Sequence, residues 1–324
     1  MSQHFLLSPK ARTLSFKRIH CLSDEEAYAE FVALRFAENS GEPFCPNCGG
    51  THLYKISTRR RWKCADTACA NTFSATSGTI FQDRKLPYRD ILLVIAHFVN
   101  EPKGISAIRI SHLIEVSYKT AFVIAHKLRE VLTAYQSSFR LGGEVEIDAL
   151  HCGGYVKPGK DNPSKRNRRR LNRNKEKQRV VMVLRERHGR SRCVLVNHES
   201  RMPDMLPDIL EEDAMVISDS FSGSAKIAAR YQAFRVNHSK QYADGWISTN
   251  HAESFFSRLR RFELGTHHKI AGPYTLYYAN DACWREDHRR NSNGEKYAQV
   301  LTLAGRYPVS RLWKGYWQRR KDAA

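Results

Sequence analysis

Three acidic residues of this strongly basic chain occupy positions at which an acid is able to do chemistry. Asp148 closes the stretch Val-Glu-Ile-Asp, whose alternation places Glu146 and Asp148 on the face opposite the two apolar residues. Asp219 ends an apolar run, and Glu253 opens an amphipathic helix that carries arginines on its other face. Because a single aspartate at a strand end is more often a turn residue, the prediction depends on the three acids together.

Carboxylates that converge from two strands and a helix are suitable ligands for Mg²⁺, which prefers oxygen and retains several waters. Two such ions about 4 Å apart activate water or a 3′ hydroxyl and stabilise the leaving oxygen in an in-line attack on phosphorus. The sequence therefore predicts that Asp148, Asp219 and Glu253 bind catalytic Mg²⁺ or Mn²⁺.

Four cysteines have the spacing of a second, different metal site. Cys45 and Cys48 form one pair, and Cys64 and Cys69 form another after fifteen intervening residues. Two such pairs predict a closed, tetrahedral thiolate site for structural Zn²⁺, whereas the alternative is a chance cluster of reduced cysteines. The basic stretch between the pairs is predicted to contact phosphates through Arg59, Arg60, Arg61 and Lys63.

Residues 103–132 are predicted to form two helices, over 105–114 and 118–132, with Ser117 as the N-cap of the second. This organisation is typical of a helix-turn-helix, in which the start of the second helix enters the major groove. The alternative is a plain packed helical hairpin. The residues expected to reach bases or phosphates are Tyr118, Lys119 and Thr120.

The charge of the chain favours a polyanionic partner. Fifty-three Lys and Arg against 33 Asp and Glu give a net charge of +20, so nucleic acid is the first candidate. No membrane is expected, because the longest apolar run is far shorter than the roughly 20 residues of a bilayer span. The basic run 157–179, with Arg168, Arg169 and Arg170, is predicted to be a mobile loop that tracks phosphates, unless it is merely solvated.

The predicted secondary structure that must position these residues changes along the chain, from helical to α/β at about residue 141. After that position, five apolar stretches are predicted to be strands. We expect five parts: a helical lead-in (1–41), a zinc ribbon (42–80), a helical helix-turn-helix-like segment (81–140), an α/β domain (141–300) and a basic tail (301–324). Ser23 and Glu26 predict a capping box in the lead-in. Trp313 and Trp317 of the tail either pack on the α/β domain or stack on DNA.

A series of short stretches extends in a specific order from the cysteine unit to about residue 300. They are FCPNCGG, RRRWKC, TFSATSGTIF, KLPYRDILL, KGISA, VSYKTAFVIAHKLR, VEID, ISDSFSG, VNHSK, STNHAESFFSRLRR and GTHHKI. In this order the chain resembles the zinc-ribbon-bearing DDE transposases of bacterial insertion sequences, those with an ISXO-type catalytic domain.

The resemblance implies an RNase H-like catalytic domain, with the three acids on the first strand, at the end of the fourth strand and on a following helix. It implies supporting roles near the metals or the scissile phosphate for Asn250 and His238, and a DNA contact for Arg260, unless these make ordinary hydrogen bonds or surface charges. The chain departs from the family at Ala149 and His151, where an acid and an aromatic residue are usual.

The function implied by the resemblance is that of a transposase that binds its element's terminal repeats, then cleaves DNA and transfers strands to target DNA. Because two ends must be held together, a homodimer or larger synaptic complex is expected. The N-terminus lacks the pattern of a secretory signal, which predicts a cytoplasmic, nucleoid-associated protein. The alternatives are a non-catalytic DNA-binding regulator or domesticated derivative, which the departures motivate, and a nuclease without strand transfer.

Overall fold

The computed structural model describes residues 4–153, 178–219, 224–236, 247–268 and 270–319 of the chain. The chain divides into two compact units, of which the first consists of Met1–Val131 with His288–Ala324 and the second of Leu132–Asp287. Each unit contains its own β-sheet.

The described residues form eleven α-helices and eight strands. The helices are α1 (Phe16–His20), α2 (Asp24–Arg35), α3 (Tyr88–Asn100), α4 (Ala107–Leu113), α5 (Tyr118–Ser137), α6 (Met202–Met205), α7 (Ser224–Ala228), α8 (Asn250–Phe262), α9 (Thr275–Asp287), α10 (Asn293–Arg306) and α11 (Tyr316–Arg319). The strands are β1 (Leu53–Ile56), β2 (Arg61–Cys64), β3 (Thr72–Ser74), β4 (Glu144–Gly153), β5 (Gln178–Glu186), β6 (Ser191–Val196), β7 (Met215–Asp219) and β8 (Gln232–Val236).

The first unit is built round α3, on which α1, α2 and α10 pack. Its two chain segments are joined by hydrogen bonds. The Asn293 side chain accepts from the backbone N–H groups of Thr13 and Leu14 at 2.8 and 2.7 Å, and the Tyr297 hydroxyl donates to Glu30 at 2.8 Å. Residues 293–306 are therefore a packed helix of the first unit.

The helix of the lead-in begins as predicted. The Ser23 hydroxyl accepts from the backbone N–H of Glu26 at 3.2 Å, and the Glu26 carboxylate accepts from the backbone N–H of Ser23 at 2.8 Å. The predicted capping box is thus confirmed, and it satisfies two amide groups at the start of α2 that have no partner within the helix.

The second unit contains the five predicted strands in the order β6-β5-β4-β7-β8. β4, β5 and β6 are antiparallel neighbours, whereas β7 is parallel to β4 and β8 is parallel to β7. β4 is therefore the central strand, and the predicted α/β class of this half is confirmed.

Apolar side chains cover both faces of this sheet. Val145 and Ile147 of β4 lie in one cluster with Met202 and Leu206, at α6 and just after it. The cluster on the other face joins strand residues to α8 and α9, and it contains Val181, Val183, Cys193, Ala252, Phe255, Phe256, Leu259, Ala279, Ala282 and Cys283. The side chains of Glu146 and Asp148 alternate with the first set, so they belong to the face on which α8 packs.

The structure differs from two of the predicted bounds, the end of the second helix and the start of the tail. α5 continues to Ser137, five residues past the predicted end, because Gln136 donates to the backbone carbonyl of Ser191 and to Asp287 at 2.7 and 2.9 Å. The predicted tail begins inside α10, whose buried Val300, Leu301 and Ala304 make it part of a core. Trp313 packs on α5, with its ring 4.4 Å from His126 between centroids, and neither proposed role of the tail anticipated this contact.

No helix within the described ranges combines the length and the apolar character that crossing a bilayer requires.

Candidate metal centres

The four predicted zinc ligands lie together in the first unit. Their sulfur atoms are all within 4.8 Å of one another, and the Cys45–Cys69 and Cys48–Cys64 distances between Sγ atoms are both 3.6 Å. A tetrahedral site with Zn–S bonds of about 2.3 Å places its sulfurs about 3.8 Å apart. The cluster therefore has the dimensions and the donor set of a structural Zn²⁺ site.

The first turn of the cluster is shaped by two glycines. Gly49 adopts a φ of +77°, and its N–H donates to the carbonyl of Cys45 at 2.8 Å. A Cβ on Gly50 would lie 3.3 Å from the Cys48 sulfur, so a side chain there would crowd the ligand. Both positions favour glycine for these local reasons.

The thiols of the cluster differ in acidity. Burial alone would raise the pKa of the Cys45 thiol. Hydrogen bonds from the backbone N–H groups of Cys48 and Asn47 outweigh this effect and lower the pKa to about 6. The backbone N–H of Gly50 lowers the pKa of Cys48, but contacts with the thiols of Cys64 and Cys69 outweigh this and raise it to about 12. A bound divalent cation would stabilise several thiolates together.

The ribbon packs against α2 through aromatic residues. Trp62 of β2 is buried, and its ring lies 6.3 Å from that of Tyr28 and 6.1 Å from that of Phe36 between centroids. Arg60 also contacts α2, because it forms an ion pair with Glu25 and lies over the Tyr28 ring. The lead-in helix is therefore a structural part of the ribbon.

The predicted phosphate contacts of the ribbon fall into two groups. Arg59, Arg61 and Lys63 are exposed, with Arg61 and Lys63 alternating with buried Trp62 and Cys64 along β2. Arg60 is half-buried against α2. An open polar groove of about 880 Å³ borders this edge of the ribbon, and its basic lining residues include Arg59, Arg60, Arg61 and Arg84.

The helical segment has the predicted short turn between α4 and α5. Glu115 adopts a positive φ of 52°, so the turn is made without glycine. The Ser117 side chain accepts from the backbone N–H of Thr120 at 3.3 Å, which confirms it as a cap of α5. Tyr118, Lys119 and Thr120 are all exposed.

The C-terminal part of the first unit reaches the same turn. Trp317 donates its indole N–H to the backbone carbonyl of Lys119 at 3.3 Å, and the Lys119 ammonium lies 5.6 Å from the Trp317 ring centroid. The predicted DNA-contacting end of α5 is thus framed by an aromatic residue of the C-terminal segment.

The two predicted catalytic aspartates lie on neighbouring central strands. The last parallel pair between β4 and β7 is Ile147 with Ser218, so Asp148 and Asp219 occupy the next position on each strand. Both side chains point to the face on which α8 packs, since Val145 and Val216 lie in the cluster on the opposite face. Neighbouring strands are about 4.8 Å apart, so the sheet brings these two acids side by side.

The third predicted acid is on the exposed side of α8. Ala252, Phe255 and Phe256 bury the other side of the helix. Asn250, Glu253 and Arg260 are exposed and fall within one narrow arc of the helix, because they are three and seven residues apart. One face of α8 therefore presents an amide, a carboxylate and a guanidinium in sequence.

The carboxylates of the three acids are not drawn into one tight cluster. Within the described ranges, the four cysteines are the only group of three or more potential ligands whose atoms lie within 4.8 Å of one another. The predicted contacts at His238 and at Arg168, Arg169 and Arg170 lie outside the described residues.

Sequence reasoning missed the residues that fix α8 to the sheet. Glu146, which shares a face with Asp148, is completely buried and accepts hydrogen bonds from the first turn of α8. Arg187 of the segment after β5 donates to Glu146 at 3.0 Å and to the backbone carbonyl of Ser248 at 3.1 Å. Alternation along β4 was a usable signal for Glu146, but its partners on α8 are about a hundred residues away in the chain.

Two family models match parts of the chain. Residues 140–287 match the family model described as the ISXO2-like transposase domain, and residues 22–72 match the one described as the transposase zinc-ribbon domain. The second match includes α2, in agreement with the packing of that helix on the ribbon. No curated protein matches the chain. Residues 140–287 are thus an ISXO2-like transposase domain and residues 22–72 a transposase zinc ribbon, the two parts of the zinc-ribbon-bearing transposases that the sequence resembles.

Proposed function

We propose that the chain is an active DNA transposase, which cleaves DNA at the ends of its element and joins them to a target through Asp148, Asp219 and Glu253. The observation that carries this proposal is that the two aspartates lie side by side on β4 and β7, one position beyond the last paired residues of these strands. Both are on the face of the sheet that bears α8. Two adjacent acids on rigid central strands support phosphoryl transfer better than they support passive DNA binding.

The RNase H-like fold is part of the proposal. The mixed five-stranded sheet supports it, since Asp148 is on the first strand of the sheet in chain order and Asp219 ends the fourth. Glu253 follows on α8, which packs against the same sheet face. These positions are those that the family resemblance implied.

The three carboxylates have the donor chemistry that Mg²⁺ or Mn²⁺ requires, because both ions prefer oxygen ligands. When bound, the ions supply activation of water or a DNA 3′ hydroxyl and stabilisation of the leaving oxygen. The strands hold Asp148 and Asp219 at neighbouring positions, and α8, which packs on the same face of the sheet, would supply Glu253.

Other residues of the second unit would orient the DNA. Asn250 and Arg260 share the exposed arc of α8 with Glu253, so we assign Asn250 to the scissile phosphate and Arg260 to the DNA backbone. The family resemblance adds a supporting role for His238 near the metals. We further propose that the basic side chains of Arg168, Arg169 and Arg170 contact phosphates.

Binding of the terminal repeats is proposed for the first unit. The zinc ribbon, held by structural Zn²⁺ at its four cysteines, offers the exposed Arg59, Arg61 and Lys63 to phosphates. α4 and α5 would act as a helix-turn-helix, with Tyr118, Lys119 and Thr120 at the start of the recognition helix. Arg60 serves mainly to attach the ribbon to α2, since its guanidinium pairs with Glu25.

Strand transfer requires two element ends in one complex, so we propose that the protein acts as a homodimer or larger synaptic assembly. Its substrates would be the terminal repeats and the target DNA. Because both are part of bacterial chromosomal DNA, we propose that the protein acts in the cytoplasm.

The test is strand transfer of a labelled linear fragment that carries the element ends, with a supercoiled plasmid as target and Mg²⁺ as the ion. The variants are Asp219→Asn and, as a matched control, Asp213→Asn, which changes an exposed aspartate in the turn before β7. Wild type and Asp213→Asn should yield joined product. Asp219→Asn should bind the ends equally well and yield none.

Two other outcomes identify the alternatives. If every protein binds the ends and none cuts or joins with Mg²⁺ or Mn²⁺, the chain is a DNA-binding regulator and the catalytic proposal is wrong. If wild type gives broken ends without joined product, it is a nuclease that lacks strand transfer.

A further inference from the structure

A buried glutamate on the central strand contacts the start of the helix that carries Glu253. Glu146 lies two residues before Asp148 on β4 and is 0% exposed. Its Oε2 atom accepts from the backbone N–H groups of His251 and Ala252 at 2.8 and 3.1 Å. Thr249, the N-cap of α8, makes no side-chain capping hydrogen bond. Glu146 therefore caps α8 from another element of the fold.

The other oxygen of the same carboxylate is also occupied. Oε1 of Glu146 accepts from Nε of Arg187 at 3.0 Å and contacts Nδ1 of His251 at 2.9 Å. Arg187 in turn donates to the carbonyl of Ser248, and Arg185 donates to the carbonyl of His251 at 3.2 Å. With four contacts from three residues and no exposed surface, this carboxylate has no room for a metal ion or for DNA, which excludes a direct catalytic role.

These contacts determine where α8 begins relative to β4. The apolar side of α8 is held by Phe255, Phe256 and their neighbours, but the hydrophobic effect itself is non-directional. Hydrogen bonds to the amide groups of the first turn are directional, and a helix dipole strengthens them when the acceptor is a carboxylate. The contacts of Glu146 thus fix the axial position of the first turn.

That first turn contains Glu253. Its backbone N–H donates to the carbonyl of Thr249 at 3.0 Å, and it follows directly after Ala252, one of the two residues that Glu146 holds. Since Glu146 and Asp148 are two residues apart on one strand, the strand that carries the first acid also holds the helix of the third.

We propose that Glu146 is a positioning residue, which sets the distance between Glu253 and the Asp148–Asp219 pair and thereby the affinity of the site for divalent metal. This inference rests on the proposed function of those three acids. Residues that orient metal ligands from outside the coordination sphere typically contribute roughly 10- to 100-fold to metal affinity or activity.

The test compares Glu146→Gln and Glu146→Ala with wild type in the full-length protein. The glutamine oxygen retains an acceptor for the two amide groups but loses the charge opposite Arg187, so its effect should be the smaller one. Glu286→Gln is the matched control. Glu286 is also buried and pairs with Arg185 and with Arg258 of α8, but it contacts the helix beyond the first turn.

Two quantities are measured for each protein at a temperature below its unfolding transition. The first is Mn²⁺ affinity, from the free-ion signal in electron paramagnetic resonance, and the second is the Mg²⁺ concentration that gives half-maximal strand transfer. Glu146→Ala should weaken Mn²⁺ binding and raise the Mg²⁺ requirement by roughly 10- to 100-fold, with unchanged DNA-end binding. Glu286→Gln should match wild type in both.

The inference would be overturned if Glu146→Ala had the same Mn²⁺ affinity and Mg²⁺ requirement as wild type. It would also be overturned if Glu286→Gln lost as much Mn²⁺ affinity as Glu146→Ala. If Glu146→Ala does not fold, Glu146→Gln decides, because any weakening of Mn²⁺ binding at unchanged DNA binding supports positioning and none contradicts it. Failure of the proposed function is distinguishable, since wild type itself would then neither bind Mn²⁺ at these acids nor join ends, and both proposals would fall.

Discussion

Replacement of Asp287 by asparagine should stabilise the second unit at neutral pH. Asp287 is partly buried at the end of α9, where its carboxylate accepts from Nε2 of Gln136 at 2.9 Å and from the backbone N–H of Ser191 at 3.1 Å. Burial raises the pKa of this carboxyl from 3.8 to about 6, against the opposing effect of these hydrogen bonds and of Arg185. The folded state therefore holds the proton more tightly than the unfolded state does.

The sign of the pH dependence follows from this direction. Between about pH 4 and 6 the folded protein binds more protons than the unfolded chain, so the stability that protonation supplies is lost as the pH rises through this window. The raised pKa of Asp287 corresponds to roughly 2–3 kcal/mol of unfolding free energy that the folded protein has lost above pH 6. Asparagine is neutral at every pH and retains an acceptor for Gln136 and Ser191, so Asp287→Asn avoids this loss.

The assay is calorimetric unfolding of the full-length protein from pH 4 to 7.5, following the transition of the second unit. Asp287→Asn should unfold near the wild-type temperature at pH 4 and roughly 5–10 °C higher at pH 7.5. Asp213→Asn, which removes an exposed charge, should show no such divergence. A difference in unfolding temperature between Asp287→Asn and wild type that stays constant from pH 4 to 7.5 would refute the reasoning.

Three further predictions concern packing, zinc and DNA. Phe255→Ala removes a fully buried ring and should cost about 3–5 kcal/mol of unfolding free energy in urea, against little for Leu264→Ala at an exposed site; equal costs would contradict the assigned core. Cys64→Ser, or a strong zinc chelator, should abolish the unfolding transition of the first unit and leave that of the second in place, and an unchanged first transition would exclude structural zinc. Arg61→Ala should lower the slope of log affinity against log salt for DNA ends by roughly 0.9, whereas Lys10→Ala should not, and identical slopes would remove Arg61 from the phosphate contacts.

Local patterns in the sequence were sufficient for several elements. The capping box at Ser23 and Glu26 is closed by contacts three residues apart, and the cap of α5 at Ser117 is equally local. The strands of the second unit followed from apolar runs, because central strands are covered on both faces. Cysteine spacing predicted the zinc cluster, since each ligand pair is held by one turn.

Contacts between distant parts of the chain could not be read from such patterns. Arg60 belonged to a basic run that favoured DNA, but the fold brings Glu25 within 2.5 Å of it. Trp313 packs on α5, nearly two hundred residues earlier in the chain. Glu146 was placed on the correct face by alternation alone, yet its role depends on amide groups of α8 that only the folded sheet presents.

The proposed catalytic site combines both kinds of information. The residue types and their order indicated Asp148, Asp219 and Glu253, whereas the register between β4 and β7 explains why the first two are neighbours. The arc of α8 adds Asn250 and Arg260 beside Glu253, which helical periodicity already indicated.

The central claim, that Asp219 is a ligand of the catalytic metal, is tested most directly by a change of metal preference. Asp219→Cys replaces a carboxylate with a thiol, a softer ligand that binds Mn²⁺ better than Mg²⁺. With the element-end fragment and plasmid target, wild type should join ends with either ion, whereas Asp219→Cys should join them with Mn²⁺ and fail with Mg²⁺. Equal yields of Asp219→Cys and wild type in Mg²⁺, or an equal loss in both ions, would contradict metal ligation by Asp219.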